Sequence, residues 1–288
     1  MLRSLLSVSL LLALVAACSK QPETQTAPKE QETTAAEPVG KIGRDAIGRI
    51  YHYVRTNQDG SDPESVYVFR KARDFLEVYK MRRKCTNAAF VTAKLDMEKG
   101  YATHLTGGRL KPNAGHENFA TLDYDENAKR LSARFAPPGG DTKTAEVFIE
   151  DEPWHDYDFD FASLTVMTPH LEPRADFSFG LTLIIPDPER DDFLMYLGRA
   201  DLVYRQDEMR GGRSAYRYIV GGPAFGTFGG SMWLDAEDGH ILDVETGIPN
   251  HREYENFKLE LESVNDGGQP AWTKLLTAHY EGCDEDAG

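Results

Sequence analysis

The residues best suited to metal binding or catalysis lie in one segment, Trp154-His155-Asp156-Tyr157-Asp158-Phe159-Asp160-Phe161. If it is a strand, Asp156, Asp158 and Asp160 share one face, about 7 Å apart in steps of two residues. Such carboxylates could hold a hard cation such as Ca²⁺, and with His155 nearby they could form a catalytic metal site. The alternative is a solvated polar face above an aromatic core face. Because neighbouring aspartates repel one another, a basic partner is also expected, and the crowding would raise carboxylate pKa values.

A glycine-rich stretch, residues 221–230, is a second candidate. Phosphate-binding loops need a following helix N-terminus and usually a lysine, but strand-like Met232-Trp233 follows here and the stretch has no lysine. We therefore interpret it as a wide connection at a sheet rim, where two of its aromatic side chains could gate a cavity mouth. The residues assigned to such a cavity are Trp233, Phe225, Phe228, Tyr157 and Phe159.

Nucleophilic catalysis has little support in this sequence. His251, preceded by Asn250, could act as a ligand or base, but a histidine without a placed nucleophile is more often structural. No G-x-S-x-G motif surrounds Ser163 or Ser231. A binding protein is therefore favoured over an enzyme, and no cofactor is expected.

The elements that must position these residues are short alternating apolar runs separated by turn signals about every ten residues. The best helix candidate is 161–171, with Asp160 as a possible N-cap. The predicted fold is mainly β, a large antiparallel sheet with at most one or two short helices, which covers its edges as a barrel, curved half-barrel or sandwich. The strand-like runs are 50–54, 66–69, 75–79, 88–96, 100–106, 118–124, 130–136, 144–150, 155–161, 176–185, 193–207, 214–220, 230–235, 240–246, 256–263 and 271–281.

The N-terminus combines Arg3 with an uncharged run of roughly 14 residues, which is typical of a secretory signal and short for a membrane span. Val15-Ala16-Ala17-Cys18 resembles the lipobox of bacterial lipoproteins. The resemblance implies cleavage before Cys18 and its acylation, which would anchor the protein in the bacterial envelope through acyl chains. Ser19, at the position after the lipidated cysteine, resembles the sorting signal of outer-membrane lipoproteins. It implies a protein anchored in the outer membrane and facing the periplasm. The alternative is an ordinary signal peptide with a chance cysteine.

The chain divides by composition into a signal peptide (1–17), a tether (18–45) and a strand-rich domain (46–288). The tether is rich in Thr, Gln, Glu and Pro and cannot bury enough apolar surface to offset its ordering entropy, so we expect it to be disordered. Pro137-Pro138-Gly139-Gly140 could divide the domain into two half-sheets.

Two further cysteines remain once Cys18 is lipidated, Cys85 and Cys283. The oxidising envelope favours a disulfide between them, closing a loop of about 200 residues. The alternative is a pair of buried free thiols. Metal ligation is disfavoured, since no CxxC or histidine-rich partner occurs.

The net charge of −15 argues against nucleic acid as a partner. Residues 1–45 hold five basic and five acidic side chains, so the excess lies entirely in the strand-rich domain. An acidic body also disfavours electrostatic docking on anionic lipid, which leaves the acyl chains as the membrane contact.

The segments Ser231–Asp235 and His240–Glu245, joined by a turn at Ala236–Gly239, resemble the tryptophan-containing hairpin of lipoprotein carriers and related envelope domains. That resemblance implies a curved sheet around an apolar cavity that holds acyl chains. The leading hypothesis is a lipoprotein that binds a lipid or another apolar ligand. The alternatives are a scaffold that binds an envelope protein and a metal-dependent hydrolase.

Overall fold

The structure, a computed structural model, describes residues 45–185 and 192–283. The signal segment, Cys18 and the tether up to residue 44 lie outside the described residues. No helix in the described ranges is long and apolar enough to cross a membrane.

The described residues form one continuous sheet of fifteen strands and two short α-helices. The first half of the sheet contains β1 Ile50–Thr56, β2 Glu64–Ala72, β3 Phe75–Met81, β4 Ala89–Asp96, β5 Tyr101–Lys111, β6 Gly115–Asp125, β7 Arg130–Phe135 and β8 Lys143–Phe148. The second half contains β9 Trp154–Asp156, β10 Phe177–Ile184, β11 Leu194–Arg210, β12 Arg213–Gly221, β13 Gly230–Asp235, β14 Ile241–Thr246 and β15 Phe257–Asn265. The helices are α1 Ala162–Met167 and α2 Gly268–Thr277.

Strands β1 to β8 and strands β10 to β15 each form a meander, and β1 pairs with β15 to join the two halves. All neighbours run antiparallel except β9, which pairs parallel with β10. The predicted turn at Ala236–Gly239 joins β13 to β14, and Gly239 has the positive φ (80°) that such a turn requires. Residues 137–140 join β7 to β8 within the same sheet.

The sheet curls until its distant strands meet. Twelve strand spacings separate β6 from β9, which is roughly 55–60 Å in a flat sheet. The ring centroids of Tyr124 on β6 and Trp154 on β9 nevertheless lie 5.6 Å apart. Phe135 on β7 likewise contacts Phe193 beside β11, with centroids 6.4 Å apart. The predicted mainly β, curved antiparallel sheet is confirmed, although it stays open, with β8 and β9 as its edges in the described ranges.

Helix α1 lies in the core that the two halves share. All six of its residues are buried, and the 3₁₀ turn Thr168–His170 continues it. The predicted helix at 161–171 is therefore present. It begins one residue later than expected, because Phe161, at φ 55°, occupies the N-cap position. The Asp160 side chain is thus free for other contacts.

Helix α2 covers the opposite face of the sheet. Val68 and Val78 point into the shared core, whereas the alternate residues Phe69 and Tyr79 pack against Trp272 of α2. The prediction of a strand at 271–281 was wrong. Pro270 suits a first helical turn, and Trp272 and Leu276, four residues apart, place one apolar side on the sheet.

The predicted disulfide is present between Cys85, in the β3–β4 connection, and Cys283, beyond α2, with Cα atoms 5.5 Å apart. It holds the end of α2 against the sheet. The backbone N–H of Cys85 also donates to the carbonyl of His279, so this end of the chain is attached at more than one point.

Candidate functional site

Two inward-facing rows of side chains change from apolar to basic at the same end of the sheet. On β1 the buried row is Tyr51, Tyr53 and Arg55, and on β3 it is Leu76, Val78 and Lys80. Because strand residues two apart share a face, the alternation that buries the aromatic and aliphatic residues also buries the two cations. Lone buried charges are very costly, so carboxylate partners must lie nearby.

Asp160 supplies the central carboxylate and is fully buried. Its oxygens lie 2.6 Å from Lys80 Nζ and 3.3 Å from Arg55 Nη1. Asn250 donates from Nδ2 to Asp160 Oδ1 at 2.6 Å. Arg55 also donates to Glu64 at 2.5 Å and to the Tyr254 hydroxyl at 3.2 Å. We call Arg55, Lys80, Asp156, Asp158, Asp160 and His251 the ionic cluster.

A turn, rather than a strand, aims Asp160 inward. Strand β9 ends at Asp156, and Asp160 and Phe161 then adopt φ values of 49° and 55°. Positive φ is unfavourable for residues other than glycine, particularly a bulky one such as phenylalanine. The ion pairs of Asp160 and the burial of Phe161 hold this conformation.

The three aspartates have very different electrostatic environments. Burial raises the pKa of Asp156 well above its ordinary value, and the neighbouring Asp158 carboxylate raises it further. Burial acts the same way on Asp160, but Lys80 and Arg55 outweigh it and hold the Asp160 pKa well below its usual range. Opposing the effect of burial, His251 and Lys80 lower the pKa of Asp158, whose Oδ1 lies 3.0 Å from His251 Nε2. These surroundings therefore favour the protonated form of Asp156 and the ionised forms of Asp158 and Asp160.

A cavity of about 320 Å³ opens beside the ionic cluster. Its polar end is formed by five residues of the cluster (all but Asp160), together with Glu64 and Glu253. The rest is mostly apolar, with Thr121 and Arg134 as its polar residues, and its largest apolar side chains are Phe119, Phe135, Phe159, Ile184 and Phe193. Small residues on β4, β5, β6 and β7 leave the space open, namely Ala89, Gly107, Gly108, Ala120 and Ala133. The cavity lining is therefore amphipathic, with the charged side chains of the ionic cluster beside a mostly apolar wall.

Gly108 has a separate structural reason to be glycine. A Cβ at this position would lie 1.9 Å from the backbone oxygen of Glu117 on β6. The register of β5 and β6 shifts between Gly107 and Gly108, which brings the two backbones close together. This irregularity lies in the cavity wall.

The residues predicted for a ligand cavity are scattered. Phe159 lines the cavity. Tyr157 is in the core, with its hydroxyl bonded to Thr246 and to the carbonyl of Ile248, and Phe225 packs against its ring. Phe228 is 61% exposed, and Trp233 is on the other face of the sheet, beneath the guanidinium of Arg210.

The residues predicted for a metal are brought together in part. Asp156, Asp158 and Asp160 belong to one cluster, in which Lys80 and Arg55 provide the basic partners expected for crowded aspartates. His155 turns away, with Nδ1 2.9 Å from Ser163 Oγ, and burial lowers its pKa to about 3. His251 faces Asp158 instead.

Comparison with known proteins does not assign a function to this site. No protein-family model matches the chain, and no curated protein matches it significantly.

Proposed function

We propose that this protein is an envelope lipoprotein whose β domain binds one amphipathic small molecule. The observation that carries the proposal is the cavity of about 320 Å³, which has an apolar aromatic body and a charged end. Small-molecule sites are typically concave, mostly apolar and furnished with a few placed polar groups. The signal-like N-terminus, Cys18 and the tether would keep this domain beside a membrane, where amphiphiles are found.

The cavity size limits the ligand class. Its volume lies near the lower end of the range for small-molecule sites, roughly 300–1,000 Å³. A single acyl chain or a small ring system fits such a space better than a two-chain lipid. Each buried methylene would contribute about 0.8 kcal/mol, so a medium-length chain offers enough gross apolar energy for micromolar binding.

The polar end favours a ligand head group that accepts a hydrogen bond. Lys80 and Arg55 are already engaged by Asp160, so they are poor partners for a second anion. Asp156 lines the cavity, and burial raises its pKa, which favours the protonated carboxyl that can donate a hydrogen bond. An ester, amide or hydroxyl oxygen would satisfy it without adding a charge.

Filling the apolar end should abolish binding. We expect Ala120→Phe to weaken uptake of the fluorescent probe N-phenyl-1-naphthylamine at least tenfold, because Ala120 lines the cavity and a phenyl ring would occupy it. The matched control is Ala145→Phe. Ala145 pairs with the cavity residue Ala133 and packs on the same core, but it does not line the cavity. The measurement is a fluorescence titration of the whole chain carrying Cys18→Ala, so that anchor acyl chains do not compete.

Native mass spectrometry of the same protein should show a co-purified amphiphile in wild type and in Ala145→Phe. Circular dichroism would establish that Ala120→Phe is folded. Equal probe affinity in a folded Ala120→Phe variant, or no bound amphiphile and no probe binding in wild type, would overturn the proposal.

A further inference from the structure

The turn between β13 and β14 gathers three potential metal ligands. Asp235 ends β13, Asp238 is in the turn, and His240 precedes β14. One donor atom from each side chain lies within 4.8 Å of the other two. Asp235 Oδ1 accepts hydrogen bonds from the backbone N–H groups of Glu237 and Asp238 at 2.9 and 2.6 Å. These bonds fix the turn and the orientation of the Asp235 carboxylate.

His240 is the part of this arrangement that the fold leaves unexplained. It is fully buried, and neither ring nitrogen has a hydrogen-bond partner among the described residues. An imidazole carries at least one N–H donor, and leaving a buried polar group unpaired is unfavourable. The Tyr51 ring packs against the imidazole, with centroids 5.0 Å apart, and so restricts its orientation. The buried imidazole therefore offers ring nitrogens without a protein partner beside two carboxylates.

We infer that Asp235, Asp238 and His240 form a binding site for a divalent transition-metal ion such as Zn²⁺. An imidazole with two carboxylates is a borderline donor set, which suits Zn²⁺ better than Ca²⁺ or Mg²⁺. Zinc bonds of about 2.0–2.2 Å require the donor atoms to approach one another more closely than 4.8 Å. Asp238 is half-exposed in a turn and can make that movement by side-chain rotation. An open groove lined by Arg213, Asp235 and Glu237 gives the ion a path to the carboxylates.

Two arginines also contact these carboxylates. Arg213 Nε lies 2.5 Å from Asp235, and its Nη2 lies 3.6 Å from Asp238. Arg49 Nη1 lies 3.1 Å from Asp238. Their charges compete with a cation for the same oxygens. Removing Arg213 should therefore strengthen metal binding, whereas an arginine that merely supported a structural hairpin would have no such effect.

The test is isothermal titration of the full chain, stripped with EDTA, with ZnCl₂. We expect the His240 site to bind one Zn²⁺ and to raise Tm by at least about 3 °C at saturating metal. His240→Phe should lose this site and this shift. Arg213→Gln should lower the Kd at least threefold. The control is His104→Phe, because His104 forms an exposed histidine–carboxylate pair with Asp123 at 2.6 Å, the kind of surface pair that could take up adventitious zinc.

Asp238→Asn provides a second ligand variant in case His240→Phe does not fold, since the side chain is half-exposed. It should weaken binding at least tenfold. Absence of zinc binding in wild type would overturn the inference. So would zinc binding that persists in folded His240→Phe or Asp238→Asn while disappearing in His104→Phe.

Discussion

Replacing Asp160 with asparagine is expected to lower the free energy of unfolding by about 3–5 kcal/mol at pH 7, the range for breaking a buried ion pair on one side. The asparagine would keep the shape of the side chain but leave Lys80 and Arg55 facing a neutral group in the protein interior. Glu64 still pairs with Arg55, whereas Lys80 loses its ion pair at 2.6 Å and keeps the carbonyl oxygen of Asp158 as a hydrogen-bond acceptor. Chemical denaturation followed by circular dichroism measures the loss.

Asp156→Asn is the matched control, four residues earlier in the same cluster. In the folded protein, burial and the neighbouring Asp158 raise the pKa of Asp156, which favours its neutral form. Asparagine reproduces the neutral form and removes the cost of burying a group that can ionise. We therefore expect unchanged or slightly increased stability. Equal destabilisation by the two substitutions would contradict this account of the cluster.

The pH dependence has a defined sign for each residue. The lowered pKa of Asp160 means that its stabilisation is complete above the unfolded value of about 3.9 and is lost as pH falls towards the folded value. The raised pKa of Asp156 means that stability falls as pH rises from about 3.9 towards its folded value. Both variants should therefore converge on wild-type stability as the solution is acidified below about pH 4.

The alternating apolar runs predicted most of the strands, because each strand has at least one face in the shared core. Helix α2 could not be distinguished from a strand by its apolar pattern. Only Trp272 and Leu276 of this helix are buried, and a single pair of apolar residues four positions apart is too short to define a helical period. The depth of the curl could not be predicted. It depends on contacts such as Tyr124 with Trp154, which join strands twelve places apart in the sheet.

The sequence predicted that the aspartates need a basic partner, but it did not identify which residues provide it. Crowded aspartates implied a basic partner, yet Lys80 and Arg55 lie 80 and 105 positions from Asp160 in the sequence, which gives no local signal. A signal did exist on each strand. Arg55 and Lys80 follow inward-facing residues at intervals of two, which places each cation on the core face. The cavity residues were mostly misassigned, because Phe225 and Tyr157 fill the core and Trp233 faces outward.

Removing the disulfide is the second change with a large expected effect. Cys85→Ala with Cys283→Ala should lower the free energy of unfolding by about 2–4 kcal/mol, the usual range for such a bond. The two cysteines lie 198 positions apart in the sequence. For a loop of this length, the chain-entropy relation gives a stabilisation of about 5 kcal/mol, which we take as the upper bound. At this chain size the loss corresponds to a Tm decrease of roughly 5–15 °C.

Removing the disulfide should destabilise helix α2 before the rest of the fold. Cys283 follows α2, and Trp272 of that helix is buried against Phe69 and Tyr79 with its indole N–H bonded to Glu77 at 2.5 Å. Amide exchange in α2 should accelerate more than exchange in β10 or β14, which pack in the other core. Wild type treated with a reductant is the control and should match the double variant. Unchanged Tm, or equal acceleration in all three elements, would show that the bond does not clamp α2, and the tyrosine and histidine contacts around Tyr79 and His279 would then suffice to hold it.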